Sequence, residues 1–275
     1  MLGAVTFTLL EPRTEPNAVL VEVPHAGLEL DAEALATLAA PARALGADAD
    51  LYVDELYADA PDTGAALIAS RASRYVCDLN RAESDVDPLA VEGGSARSSP
   101  HGLVWRSTTE GRPALLGPIS RAEYERRLER YHRPYHRRIG ELLEERRARH
   151  GFALMLCAHS MPSRGRDGHD DAGVERADIV PGTRGRTSAG APVIALVERL
   201  AADAGFRLRH DEPYRGGFTT ANYGRPGDGI HAVQIELARR LYMDERTLAK
   251  RPAEFTRLRA FCKTLVEELG RLKLA

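Results

Sequence analysis

The sequence predicts an α/β fold, a mainly parallel sheet with helices on both faces. Two observations predict it. Short continuous apolar runs, the mark of strands covered on both sides, recur along the chain. They alternate with longer segments whose apolar residues keep helical spacing, and strand–helix alternation is the pattern of parallel sheets. A chain of 275 residues buries a sizeable core without staples, and no composition shift marks a boundary, so one domain over residues 1–275 is expected.

The elements follow in order. Ala18–Val23 (AVLVEV) reads as a buried strand ending at Pro24-His25-Ala26-Gly27. Asp31–Leu45 is rich in Ala and Leu and reads as a helix with Asp31 as N-cap, broken or kinked at Pro41. A helix is also expected to start near Val53. Ala65–Ser70 and Tyr75–Cys77 read as two further strands. Ala82–Pro118 is polar and rich in Gly, Ser and Pro, a long loop of the kind that usually carries function. Ser120–Arg149 places Tyr124, Leu128, Tyr131, Tyr135, Ile139 and Leu142 on one face of a long helix, bent near Pro134 and ended by Gly151. Phe152–Ala158 (FALMLCA) is the central strand. Met161–Ser188 is polar, Pro192–Ala204 is a helix and Ala232–Leu237 (AVQIEL) a strand. A C-terminal helix carries Leu258, Phe261, Leu265, Leu269 and Leu272.

Composition narrows the function. A hydrophobic fraction of 43% and a charged fraction of 28% are ordinary for a globular protein. The net charge of −2 gives no basic field for nucleic acid or membrane. The N-terminus shows no signal-peptide pattern, and no apolar stretch reaches membrane length. Cys77, Cys157 and Cys262 lie far apart without a CxxC pair, which points away from a thiolate metal site and towards a reducing cytoplasm.

In parallel sheets, ligands bind beyond the carboxyl ends of the strands. His25, Asn80, Arg81, His159 and Glu236 all fall there. Neutral imidazole is a good zinc ligand, and a catalytic zinc takes three protein ligands and an open position. His25 and His159 are the candidates, with a carboxylate as third; by position Glu29, Asp50, Asp54 and Glu55 compete. The ordinary reading of the last three is a solvated acidic cluster at the start of a helix. His132 and His136 share a helix face but lack the glutamate of HExxH, and packing with hydrogen bonding suits them better. Ser160 has no GxSxG elbow, Cys157 lies inside an apolar strand, and Gly216-Gly217 precedes no phosphate-binding GK[ST].

Eight blocks then carry a resemblance: VEVPHAG (21–27), DADLYVDELY (48–57), SRYVCDLNR (73–81), HGLVWR (101–106), YHRPYH (131–136), CAHSMPS (157–163), GGFTTANYGRP (216–226) and QIELARRLYMDE (234–245). In this order they resemble the N-formylglutamate amidohydrolases, or deformylases, of histidine degradation, over roughly residues 18–245. The resemblance implies a mixed, mainly parallel α/β sheet of the phosphorylase/hydrolase-like, zinc carboxypeptidase-like kind. It implies one zinc per chain, held by His25, His159 and a carboxylate, with Asp54 favoured and Asp50 or Glu55 as fallbacks. It makes Glu236 the general base, and Asn80 with Arg81 a pair that grips a substrate carboxylate. It departs at Cys157, where many relatives carry an aspartate two residues before the histidine ligand.

The activity implied is hydrolysis of the N-formyl amide of N-formyl-L-glutamate. Such a substrate has two carboxylates, and arginine forks suit them. Arg81, Arg106 and Arg225 are candidates, with Asn80, Thr219 and Thr220 as neutral donors; the ordinary reading of a single arginine, among 38 Lys and Arg, is surface solubility. Gly216-Gly217 would let backbone approach the ligand. Segments 82–118 and 164–190 match least and are expected to line the pocket. The alternatives are a metal-dependent deacylase or carboxypeptidase-like hydrolase of another N-acyl amino acid or short peptide, and, further off, a non-catalytic binding protein of the same fold.

Overall fold

Six strands form one mixed sheet in the order β1-β3-β2-β4-β6-β5. The computed structural model describes residues 6–94, 100–167 and 169–274. The inner strands β2 (Val19–Val23), β3 (Ala66–Ser70), β4 (Ala153–Met161) and β6 (Ile230–Ala238) run parallel. The edges β1 (Phe7–Leu10) and β5 (Ile179–Gly182) are antiparallel to their neighbours. The mixed, mainly parallel sheet expected from the sequence is therefore present.

The inner strands are buried on both faces because their alternate residues enter different cores. Val19, Val21, Leu154, Leu156, Val233 and Ile235 pack against α3 (Val53–Leu56), α6 (Ala191–Asp203) and α8 (Pro252–Gly270). Leu20, Ala153, Met155, Cys157 and Ala232 pack on the opposite face against α4 (Arg121–Arg127) and α5 (Arg133–His150). Side chains two apart share a face, so Glu22, His159, Gln234 and Glu236 belong to the α4–α5 side.

Several elements differ from expectation. Asp31–Leu45 is two helices, α1 (Ala32–Thr37) and α2 (Ala42–Asp48). Asp31 caps the first through a 2.7 Å bond from the Ala34 N–H, and Pro41 opens the second. Tyr75–Cys77 is a turn, not a strand, closed by Val76 N–H on the Ser73 carbonyl at 2.8 Å. Its apolar run reflects burial alone. No helix or strand forms among the described residues between β3 and α4, in keeping with a long loop. The helix from 121 to 150 is interrupted at Leu128–His132 by a π turn. Pro134 has no N–H for the Arg130 carbonyl, which accepts instead from the Thr6 hydroxyl at 3.3 Å. β4 runs three residues further than Phe152–Ala158 and thus contains His159. β1, β5 and the short α7 (Phe218–Tyr223) were not anticipated.

Candidate active site

The four parallel strands end along one rim of the sheet, and a cleft of about 660 Å³ opens there. His25 stands two residues beyond β2. His159 and Glu236 pair across β4 and β6, so the register sets them side by side on one face. Asp50 is drawn in by its own backbone, whose N–H donates to the His25 carbonyl at 3.0 Å.

His25, Asp50 and His159 are buried, and their ligand atoms all lie within 4.8 Å of one another. The imidazole centroids are 5.0 Å apart. One Asp50 oxygen faces both rings, 3.1 Å from His159 Nδ1 and 3.5 Å from His25 Nδ1. The other is tied by the Ser160 hydroxyl at 3.2 Å and Arg239 at 3.4 Å. His25 turns its remaining nitrogen to the buried Asp78 carboxylate at 2.7 Å, the outer contact that orients a ligating histidine.

The electrostatics ask for a cation. Burial opposes charge on His159, yet the Asp50 hydrogen bond and the charges of Glu236, Asp50 and Glu22 raise it to about 9. Burial also pushes Asp50 up, but hydrogen bonds and charge from His159 and His25 hold it well below the usual carboxylate range. Burial raises Glu236, against the pull of His159 and His25. His25, Asp50 and His159 form a donor set that could hold a metal ion, amid the buried carboxyls of Glu22, Asp78 and Glu236.

Asp54 is not part of this group. Tyr52 adopts a left-handed backbone (φ 69°) between the two aspartates, so the chain reverses there. Asp54 faces outwards into a separate groove with Glu29, and Glu55 pairs with Lys250. The carboxylate beside the histidines is therefore Asp50.

Asn80 and Arg81 line the cleft. Among the described residues the Arg81 side chain has one distant ion-pair partner, Asp85 at 3.9 Å, while the Asn80 amide oxygen accepts from the Thr219 N–H at 2.9 Å. Thr219 and Thr220 are buried behind the wall; Thr219 supports Asn80, and Thr220 touches Cys157 Sγ at 3.6 Å and Gln234 at 3.5 Å. Arg106 does not line the cleft because the buried Asp87 holds it at 2.8 Å. Arg225 lies half exposed at the surface, paired with Asp228 at 3.1 Å. Gly217 approaches the Asn80 side chain: a Cβ there would sit 2.3 Å from Asn80 Nδ2.

Other cleft residues escaped the sequence reading. Arg74 is bonded to Asp78 at 2.9 Å and Arg166 to Asp48 at 2.9 Å. Arg239 is spent on the Ala47 and Ala49 carbonyls at 2.6 Å each. Arg215 is exposed at the rim, with no ion pair among the described residues. Gln234 donates to Glu236 at 2.8 Å, and period-two alternation back from Glu236 would have flagged it. Cys157 pairs with Glu22 across β2 and β4, so a buried carboxyl stands next to the cysteine.

Fold and cleft together define a mixed α/β protein with a buried His/Asp/His cluster at the carboxyl ends of its parallel strands. The chain belongs to the N-formylglutamate amidohydrolase family, whose model matches residues 17–243. The N-formylglutamate deformylase of Pseudomonas aeruginosa is 35% identical over 255 residues, 91% of this chain and 92% of the relative. That of Pseudomonas putida is 35% identical over 231 residues, 82% of each. The crystal structure of N-formylglutamate amidohydrolase from Ralstonia eutropha JMP134 superposes with a TM-score of 0.88 at 29% identity, covering 97% of both chains. Atu2144 from Agrobacterium tumefaciens, at 20% identity and a TM-score of 0.68 over 96% of both chains, shares the fold.

Proposed function

We propose that this protein hydrolyses the N-formyl amide of N-formyl-L-glutamate to formate and L-glutamate, as a zinc enzyme whose ion is held by His25, Asp50 and His159. The carrying observation is the buried His25–Asp50–His159 cluster with Glu236 beside it in the cleft. The names of the Pseudomonas relatives support the substrate.

When bound, the cation polarises a carbonyl oxygen and acidifies water. Glu236, made more basic by burial and fixed by Gln234, takes a proton from the attacking water and passes it to the leaving nitrogen. Water oxygen bonds to the formyl carbon as the carbon–nitrogen bond breaks. Arg74, paired with Asp78 and 3.4 Å from His25 Nε2, supports the outer side of the His25 ring. Asn80 and Arg81 take one substrate carboxylate, and Arg215, exposed at the rim, takes the other. The same reading puts the enzyme in the cytoplasm, where its three free buried cysteines stay reduced, and its reaction in histidine degradation.

The test is a substrate panel of formyl-, acetyl- and succinyl-glutamate and formyl-aspartate, with zinc quantified in parallel. Formyl-glutamate should be turned over best by protein carrying one zinc per chain. Glu236→Gln should keep the metal and lose roughly 10²- to 10⁴-fold in kcat. Full activity in metal-free protein, or faster turnover of another substrate, overturns the proposal.

A further inference from the structure

The π turn at Leu128–His132 explains two histidines that the reaction leaves unused. His132 Nε2 lies 2.9 Å from the Arg81 carbonyl, and His136 Nε2 lies 3.0 Å from the Leu79 carbonyl. A carbonyl only accepts, so both rings carry their proton on Nε2 and donate. The two bonds flank Asn80. We propose that His132 and His136 are positioning residues for substrate binding: they clamp the backbone on either side of Asn80 and so hold the Asn80–Arg81 anchor in place at the cleft. This rests on the reading of Asn80 and Arg81 given above.

The helix is shaped for this task. Arg127 donates to the Tyr75 carbonyl at 3.3 Å and the Val76 carbonyl at 3.0 Å, so three of its side chains grip the segment 75–81. Arg127 and His132 are five positions apart. A regular α-helix turns such residues well away from each other, while the wider π turn brings them to one side. His136 is held in turn by α7: the Tyr223 hydroxyl lies 3.0 Å from its Nδ1, and Phe218 packs edge-on at 5.3 Å. From the same helix α7, Thr219 holds the Asn80 amide oxygen. Backbone and side chain of the anchor are thus fixed from α5 and α7 at once. Burial pushes both imidazoles down, His136 to about 3, and on His132 it outweighs the pull of the Glu83 carboxylate 3.6 Å from Nδ1.

The test compares side chains that keep or lose the donor. His132→Gln and His136→Gln retain an N–H near the position of Nε2; His132→Leu and His136→Leu remove it; the Asn variants are polar but too short to reach. Leu and Asn variants should raise KM for N-formylglutamate roughly ten- to a hundredfold with kcat within about threefold, and should speed hydrogen exchange at the Asn80 and Arg81 amides. Gln variants should restore both. Should a Leu variant fail to fold, the Asn and Gln pair decides. Unchanged KM and exchange in folded Leu or Asn variants, or Gln variants as impaired as Asn, overturns the clamp. Wild-type protein without turnover of N-formylglutamate undoes the functional reading alone, because exchange at Asn80 and Arg81 still judges the clamp.

Discussion

The floor and the rim of the cleft are built in opposite ways. On the floor, His159 and Glu236 sit inside nine-residue strands, fully paired and buried, so their spacing is a consequence of sheet register. Around the rim, Arg81 and Arg215 come from irregular segments, the first partly exposed and the second exposed. Arginines nearest the floor are held by Asp78, Asp48 and backbone carbonyls, whereas Arg215 has no ion pair among the described residues. The contrast separates two tasks. Groups that move protons or hold a metal need fixed positions, which strands and the buried turns beyond their ends supply; groups that choose a substrate need available charge, which exposed loops supply.

The sharpest way to break this division is to swap the acidic residue that is removed. Asp50→Ala should abolish zinc retention and cut kcat/KM by more than about 100-fold, beyond the usual cost of a lost outer contact. Asp54→Ala should leave both within about twofold, as for an ordinary surface change. Metal analysis and steady-state rates decide it, and the reverse pattern would return the ligand role to Asp54.

A smaller effect sharpens the rim. Arg215→Ala should raise KM for N-formylglutamate about tenfold or more, the worth of a hydrogen bond to a charged group, with kcat little changed. A formyl amino acid with a single carboxylate should show no such penalty. Equal losses on both would make Arg215 structural.

The smallest effect lies outside both regions. Partial burial pushes Asp31 up, but hydrogen bonds from Arg126, Tyr131 and the Ala34 N–H hold it at about 2. A lowered folded-state value means its stabilisation is complete above the unfolded value near 4 and fades as pH falls towards 2. Asp31→Ala should therefore cost about 1 kcal/mol at pH 7, as for a lost N-cap. In urea unfolding, the gap to wild type should close between about pH 4 and 2. A gap that stays constant would show that charge is not involved.

Legibility in the sequence followed the same division. β2, β4 and β6 were readable because a strand covered on both faces must be continuously apolar, and His25, His159 and Glu236 were readable as polar residues at the ends of such runs. β1 and β5 are four-residue edges, the second containing Pro181 and Gly182, and give no periodic signal. Tyr75–Cys77 shows that three buried residues in a row do not distinguish a strand from a packed turn. The choice of Asp50 over Asp54 hangs on one left-handed residue, Tyr52, which is not a glycine and carries no local signature. Partly buried Arg74 and buried Arg239 look like any other arginine until their partners are known, and the candidates Arg106 and Arg225 are claimed by Asp87 and Asp228.

The long pairing of β4 with β6 has a consequence for how the protein comes into being. His159 and Glu236 meet only when two distant stretches of chain have zipped together along nine residues. Contacts of such separation are among the last and slowest to be gained. Recovery of turnover after dilution from denaturant should then lag behind the return of helical signal from α5 and α8, whose hydrogen bonds are local, and the enzyme would serve as its own clock for completion of the sheet.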